Sequence, residues 1–352
     1  MVIFYVRQRQ MEPNNKRIAI IGNGSWATAL VHALSENYSR DLPDHETHLF
    51  WWIRKAEDID FIQKNKCNPR YLKDLKLNLA NIVLHSDLQY VIDKSDIVII
   101  TIPTQYIPET FQGIDFRDKI VVNASKGMTT SPSLLVSEFM ERCGVDKDHY
   151  AVISGPSHAE EVAENKTTYL TIASENLDTA CTIRFTFASP RITGLIFRMS
   201  TDVKGIEIAG IIKNVYAIGM GLISQQGENF KAAYLSNCAC EMNNILEQLY
   251  PGEKRCVLTS PYLGDLMVTG YSSLSRNFRF GELLSKGYSV IDAKAKIGQE
   301  VAGVSSVNTF IDRFAHIHIT RNQCPILVLL YQVINDYLDA TNFVYHLQEL
   351  IS

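Results

Sequence analysis

The sequence predicts an α/β N-terminal domain built as a Rossmann-type doubly wound sheet, followed by an all-α C-terminal domain. Three observations carry this. Short β-branched runs alternate with helical stretches as far as about residue 200, the pattern of a parallel sheet with helices on both faces. The first strand runs directly into a glycine pair and then a helix. Beyond Lys204 the strand signals give way to long helical patterns. A chain of 352 residues also suggests about two domains at roughly 150 residues each. The boundaries read as an extension over 1–15, the α/β domain over 16–200 and the helical domain over 201–352.

The elements follow in order. Met11 offers an alternative start within the extension, and the first convincing strand begins at Lys16. Arg17–Ile21 reads as that strand, Gly22–Ala27 as a tight turn and Thr28–Tyr38 as the first helix. Further strands are predicted at His48–Ile53, Ile82–Leu84, Asp96–Ile102 and Lys119–Asn123. They alternate with helices at Ala56–Asn65, Leu88–Lys94, Ile107–Gln112 and Ser131–Cys143. Ala151–Ser154 and Tyr169–Ala173, with a helix near Asn176–Phe187 and the run Ile192–Phe197, complete the α/β part. Gly205–Ile223 is as long as a membrane span, but Glu207, Lys213 and Asn214 interrupt it, and a charge at a membrane helix centre costs about 2.5–3.5 kcal/mol. It reads as a helix buried in the second domain. Pro251-Gly252 and the polar stretch Gly270–Asn277 punctuate the rest. With no repeat and no low-complexity linker, the halves are expected to pack closely around a cleft.

Composition narrows the function. Hydrophobic residues make up 46% and charged residues 20%, which excludes a disordered chain. The 34 basic and 38 acidic side chains give a net charge of −4, too mild to predict a nucleic-acid or membrane partner. Any phosphate must therefore be met locally. Seven cysteines, an odd number without CxxC pairs or a histidine cluster, predict a reducing compartment, the cytoplasm, and no metal site.

In Gly22-x-Gly24-x-x-Ala27 the first glycine permits the tight turn, the second lets the backbone approach a pyrophosphate, and Ala27 packs helix on strand. Phosphate oxygens then meet the free amides of the helix N-terminus. The second strand ends in Phe50-Trp-Trp-Ile-Arg54-Lys55, with no carboxylate before Glu57. Arg54 and Lys55 can receive a 2′-phosphate, favouring NADPH over NADH or use of both; a solvated basic loop is the alternative. Two polar islands, Ser125-Lys126-Gly127 and Ser154-Gly155-Pro156-Ser157, follow strand ends and so face the same crevice.

Lys213 is the sharper signal. Ile211, Ile212, Val215, Ile218 and Met220 surround it in sequence, so desolvation lowers its pKa toward the range of a proton-transfer group unless it snorkels from a helix edge. Asn214 beside it favours a polar cavity. Asp265 is placed to hold Lys213 or a substrate hydroxyl, and Arg276 offers a planar fork for phosphate, with a surface ion pair the alternative for either.

Taken together, these islands resemble the bacterial-type NAD(P)-dependent glycerol-3-phosphate dehydrogenases from about Lys16 to Tyr337. The resemblance rests on Gly-Asn-Gly-Ser-Trp-Ala-Thr-Ala-Leu at 22–30, Ser-Lys-Gly at 125–127 and Ile-Ser-Gly-Pro-Ser-x-Ala-Glu-Glu at 153–161. Lys-Asn-Val at 213–215, Leu-Gly-Asp-Leu at 263–266 and Ser-Arg-Asn-x-Arg-Phe-Gly at 275–281 complete it. It implies reversible hydride transfer between a nicotinamide cofactor and C2 of dihydroxyacetone phosphate or sn-glycerol 3-phosphate, feeding glycerophospholipid synthesis, in a homodimer. By this resemblance Lys213 is the proton acceptor, and Lys126, Gly155, Ser157, Asp265, Ser275, Arg276 and Asn277 touch substrate. Ser25, Trp26, Arg54 and Ala159 touch the dinucleotide, with Lys126 and Arg276 shared between the two.

The chain also departs from the family. Val-Val-Glu-Gly appears as Glu300-Val-Ala302-Gly303, so Ala302 replaces a cofactor-contacting glutamate, and Glu300 is expected to point elsewhere. An arginine is missing around Val304-Ser305, and Thr-Arg-Gly-Leu-Ala-Glu-Met reads Ser236-Asn237-Cys-Ala-Cys-Glu241-Met. Two other readings remain: a related dehydrogenase for another small hydroxy acid, and a dinucleotide-binding sensor with impaired turnover.

Overall fold

The computed structural model describes residues 16–41, 48–187, 194–314 and 323–351. The extension expected over 1–15 lies outside them. In chain order the first part comprises β1 (Ile18–Ile21), α1 (Ser25–Asp41), β2 (Leu49–Trp52), α2 (Ala56–Asn65), β3 (Ile82–His85), α3 (Leu88–Asp93), β4 (Ile97–Ile100) and α4 (Ile107–Thr110). There follow β5 (Ile120–Asn123), α5 (Val136–Arg142), β6 (Tyr150–Ser154), α6 (Ala159–Ala163), β7 (Thr168–Ala173), α7 (Leu177–Phe187) and β8 (Leu195–Ser200). These strands form one sheet in the order β3-β2-β1-β4-β5-β6-β7-β8. The order reverses between β1 and β4, where a crevice opens at the strands' carboxyl ends.

Both faces of the sheet are covered, which is why β1, β2 and β4 are continuous apolar runs rather than alternating ones. Ile18 and Ile20 face Leu30, Leu34, Ala159 and Ile183 from α1, α6 and α7. Ala19 and Ile21 face the opposite core, which includes Val91, Ile107, Val136 and Met140.

Two sequence expectations need correction. The sheet is not parallel throughout: β6 and β7 pair antiparallel. The connection between them holds only the five-residue α6, too little to carry the chain back along the sheet for a parallel return. The eleven-residue α7 does so, and β7 and β8 pair parallel. The helix expected from Ser131 begins at Val136. Pro132 disfavours helical geometry in the residue before it, and Thr129 Oγ1 instead organises this segment as a turn, donating to the Pro132 carbonyl at 2.5 Å.

After β8 come α8 (Val203–Leu222), α9 (Glu228–Leu249), α10 (Asp265–Tyr271), α11 (Arg276–Ser285), α12 (Val290–Ile297), α13 (Ala302–Phe314), α14 (Pro325–Ile334) and α15 (Phe343–Gln348). Among the described residues α8 is the helix long and apolar enough to cross a membrane, and its apolar window lies wholly inside the protein. Ile206, Ile212 and Ile218 of α8 share one core with Val152 of β6 and Val136 of α5, so the helical part grows directly from one face of the sheet. Glycines set the closeness of the central crossing: a Cβ on Gly281 of α11 would strike the Ile218 carbonyl, and one on Gly221 the Phe278 carbonyl. All seven cysteines are free thiols.

Candidate active site

An open cleft of about 960 Å³ runs between the carboxyl ends of the strands and the helical part. At one end lies the glycine turn. Gly22 has φ +121°, and a side chain there would also meet Thr101 Oγ1 and Ile102. A Cβ on Gly24 would face open space, so a ligand can approach its backbone. Helix α1 starts at Ser25 with no acidic residue in its first turn, leaving the amide end free for an anion.

The turn is held by residues that sequence reasoning missed. Asn23 Nδ2 donates to Asp58 Oδ2 at 2.9 Å, and Asp58 pairs with Arg70. Asn68 Nδ2 donates to the Asn23 carbonyl at 3.0 Å and to Thr28 Oγ1 at 2.9 Å. Asp58 and Asn68 lie 35 and 45 residues from Asn23, too far to leave a local signal. Arg54, Lys55 and Arg70 line this end of the cleft, with Arg54 and Lys55 exposed. His158 also lines the cleft, and its Nε2 is buried without a hydrogen-bond partner, an atom that a bound molecule would satisfy. The open Gly24 approach, the free helix end and the basic rim fit a dinucleotide.

At the other end Lys213 comes from the middle of α8. Its Nζ donates to Asp265 Oδ1 at 2.6 Å and to Thr269 Oγ1 at 2.7 Å, both on α10, one helical turn apart. Lys126, just beyond β5, donates to Asp265 Oδ2 at 2.7 Å and to the Gly155 carbonyl at 3.4 Å. One carboxylate therefore serves two ammonium groups from the two halves of the chain. Burial pulls the Lys213 ammonium down to about 7, with Lys126 adding to the effect and Asp265 opposing it. Burial alone pushes Asp265 up, but Lys126 and Lys213 outweigh it and hold the carboxyl below its ordinary value.

The remaining residues divide between cleft wall and support. Ser25, Trp26, Ser157, Ala159, Ser275, Arg276 and Asn277 line the cleft with the two lysines. Arg276 is exposed, and its guanidinium donates to Gln299 Oε1 at 3.4 Å. Ser275 caps α11 by accepting from the Phe278 amide at 3.3 Å. Asn277 Nδ2 donates to Asn214 Oδ1 at 2.9 Å, and Asn277 Oδ1 accepts from the Gly303 amide at 2.9 Å. Asp265 is 1% exposed with both oxygens engaged, so it lies behind the lysines.

Glu300 does not point elsewhere. It lines the cleft beside Ala302, accepting from Gln105 Nε2 at 3.4 Å and from Ser305 Oγ at 3.0 Å. Helix α13 begins only at Ala302, so Glu300 sits on the segment that enters the helix, where its side chain reaches the cleft. Asn237 lies on α9 and donates to the Ala233 carbonyl at 2.9 Å.

Comparison with known proteins agrees with this geometry. Residues 17–180 match the family model described as the N-terminus of NAD-dependent glycerol-3-phosphate dehydrogenase, and residues 202–345 match its C-terminus. A glycerol-3-phosphate dehydrogenase [NAD(P)+] of Syntrophomonas wolfei is 33% identical over 300 residues, covering 83% of each chain. That of Streptococcus sanguinis is 31% identical over 344 residues, 95% of this chain and 96% of its own. The crystal structure of glycerol-3-phosphate dehydrogenase from Coxiella burnetii superposes with a TM-score of 0.84 at 26% identity, covering 96% of this chain and 100% of that one. With both family models matched in order over nearly the whole chain, the protein belongs to the NAD-dependent glycerol-3-phosphate dehydrogenase family.

Proposed function

We propose that this protein interconverts sn-glycerol 3-phosphate and dihydroxyacetone phosphate, with Lys213 as the proton-transfer group. The observation that carries the reading is the Lys213–Asp265–Lys126 arrangement at the inner end of a cleft whose outer end suits a dinucleotide. A nicotinamide cofactor supplies or takes the hydride at C2. Neutral Lys213 takes the C2 hydroxyl proton during oxidation, and protonated Lys213 returns one to the developing alkoxide during reduction. Asp265 fixes the Lys213 rotamer through a 2.6 Å contact. Two ammonium groups against one carboxylate leave the site net positive where the oxyanion develops, in a setting that water barely reaches. Arg276 is the phosphate fork, helped by the amide end of α11 that begins with it.

The two other readings are weaker. A different hydroxy acid leaves Arg276 without a phosphate to bind, and a sensor without turnover leaves the intact Lys213–Asp265 pair without a use. We infer a preference for NADPH from Arg54 and Lys55, and we assign the enzyme to the cytoplasm, supplying glycerophospholipid synthesis. A homodimer accords with Met267 and Tyr271, large apolar side chains each left 46% exposed on α10; sedimentation equilibrium tests it. The decisive experiment is steady-state turnover of dihydroxyacetone phosphate with NADPH and with NADH. Turnover lost in Lys213→Ala supports the reading, and a folded protein that oxidises neither cofactor refutes it.

A further inference from the structure

Glu207, on α8, is a buried carboxylate that no step of hydride transfer uses. Its oxygens accept from Asn123 Nδ2 at 3.0 Å, Tyr150 OH at 2.6 Å, and Ser137 through its amide at 3.2 Å and its hydroxyl at 2.5 Å. Burial raises its pKa above the ordinary carboxylate value against the pull of these donors. One cavity touches it and a second touches its partners Ser137 and Tyr150. An inner cavity of about 10 Å³ is lined by Glu207, Asn123, Lys126, Gly210 and Ser154, room for about one water. Ser154 Oγ in turn donates to Asp265 Oδ2 at 3.4 Å. An outer cavity of about 20 Å³ is lined by Ser137 and Tyr150, both bonded to Glu207, and by Glu138 and Glu141; Glu141 is exposed.

We propose that Ser154 and Glu207 form a proton exit from the reaction centre, leading through the protein to the side remote from the cleft. The inference rests on Lys213 being the proton acceptor. Lys213 is only 4% exposed, and bound substrate and dinucleotide occupy the cleft through which a proton would otherwise leave. As hydride departs C2, the hydroxyl proton moves to Lys213 Nζ. A proton passes from Nζ to Asp265, which holds it only transiently because its carboxyl lies below the ordinary value. Ser154 Oγ, its hydroxyl turned from Asp265 to the inner cavity, takes that proton as it releases its own to a water there, and so again points its hydrogen at Asp265. That water gives a proton to Glu207, and Glu207 gives one through the Ser137 or Tyr150 hydroxyl to water in the outer cavity. Every relay group ends in its starting state, and one proton per turnover reaches bulk water. Burial and the neighbouring Glu207 push the Tyr150 hydroxyl well above its ordinary value, so it remains a neutral donor and acceptor.

The test is rapid mixing of enzyme with oxidised cofactor and glycerol 3-phosphate in weak buffer, following nicotinamide absorbance and a pH-indicator dye together. Wild type is expected to release its proton in step with hydride transfer. In Glu207→Gln and Ser154→Ala, hydride transfer in the first turnover keeps its rate while proton release lags by about tenfold. A purely structural role for Glu207 would slow both signals together and leave no lag, which overturns the proposal. Should Glu207→Gln fail to fold, Ser154→Ala decides, and proton release in step with hydride transfer in that variant overturns the proposal. Absence of nicotinamide reduction in wild type marks instead a failure of the functional reading beneath it.

Discussion

Lys213 Nζ stands 2.6 Å from Asp265 Oδ1, with the two side chains 5% and 1% exposed. Breaking a buried ion pair by removing one partner costs about 3–5 kcal/mol because a charge remains buried and uncompensated. Asp265→Asn leaves two ammonium groups facing each other, and Lys213 relieves the repulsion by shedding its proton. The loss is therefore expected at the low end, about 3 kcal/mol, in urea denaturation. The pH profile of oxidation shifts to lower pH in the same variant, because Asp265 is the group that opposes the downward pull on Lys213.

The same group sets the pH dependence of the wild type. Lys213 titrates at about 7, and oxidation requires its neutral form. Oxidation of glycerol 3-phosphate should rise through about pH 7 and level off above it, while reduction of dihydroxyacetone phosphate falls across the same range. Lys213→Arg stays charged at all accessible pH, so it removes the limb and lowers kcat by about 10²–10⁴-fold. Steady-state rates across pH in both directions check this.

Arg276 is exposed on the cleft wall at the start of α11. A charge-assisted hydrogen bond contributes about 1.5–3 kcal/mol, so Arg276→Ala should raise KM for dihydroxyacetone phosphate by about tenfold to a hundredfold. Unphosphorylated dihydroxyacetone, which offers no partner to the guanidinium, should change little. Parallel titrations with the two ketones separate the effects.

Arg54 follows β2 and lines the dinucleotide end of the cleft. Arg54→Ala is expected to lower kcat/KM with NADPH by about tenfold relative to NADH, the value of one exposed phosphate contact of about 1.4 kcal/mol. The wild-type advantage with NADPH shrinks as salt is added, because exposed charges are screened. Equal losses with both cofactors would contradict the assignment.

Glu241 of α9 accepts from the Ile326 amide at 2.8 Å and the Leu327 amide at 2.7 Å, capping α14, and from Tyr216 OH at 3.0 Å. Burial pushes its carboxyl from the ordinary 4.5 up to about 7. The folded protein therefore holds this proton when the unfolded chain has lost it. Its contribution is complete below about pH 4.5 and disappears as pH rises through about 7, a change of about 3 kcal/mol. Denaturation across this range should show a matching downward slope in wild type that is absent in Glu241→Gln.

Legibility followed the range of the interaction. The glycine turn, the strand and helix alternation and Lys213 were all readable because each is encoded within about ten residues by periodicity or by a polar residue in an apolar helix. The support around Asn23 was not, since Asp58, Asn68 and Arg70 converge only after β1 and β2 pair. Glu207 was visible only as an interruption of an apolar stretch. Its partners Asn123, Ser137 and Tyr150 are 57 to 84 residues away. The direction of β7 depended on the length of α6, and period-two patterning carries no information about strand direction.

Helix α8 carries Lys213 toward the cleft and Glu207 toward β5, α5 and β6. It is therefore fastened at two points, one near its start and one at its middle. Swinging the helical part away from the sheet would pull on the Lys126–Asp265–Lys213 bridge and on the bonds from Asn123, Ser137 and Tyr150 to Glu207 at once. At the rim a 3.4 Å contact of Gln105 with Glu300 joins the opposing surfaces. Opening therefore costs least at the lips of the cleft, and the floor, tied by buried charges and hydrogen bonds, is expected to keep its alignment while ligands come and go.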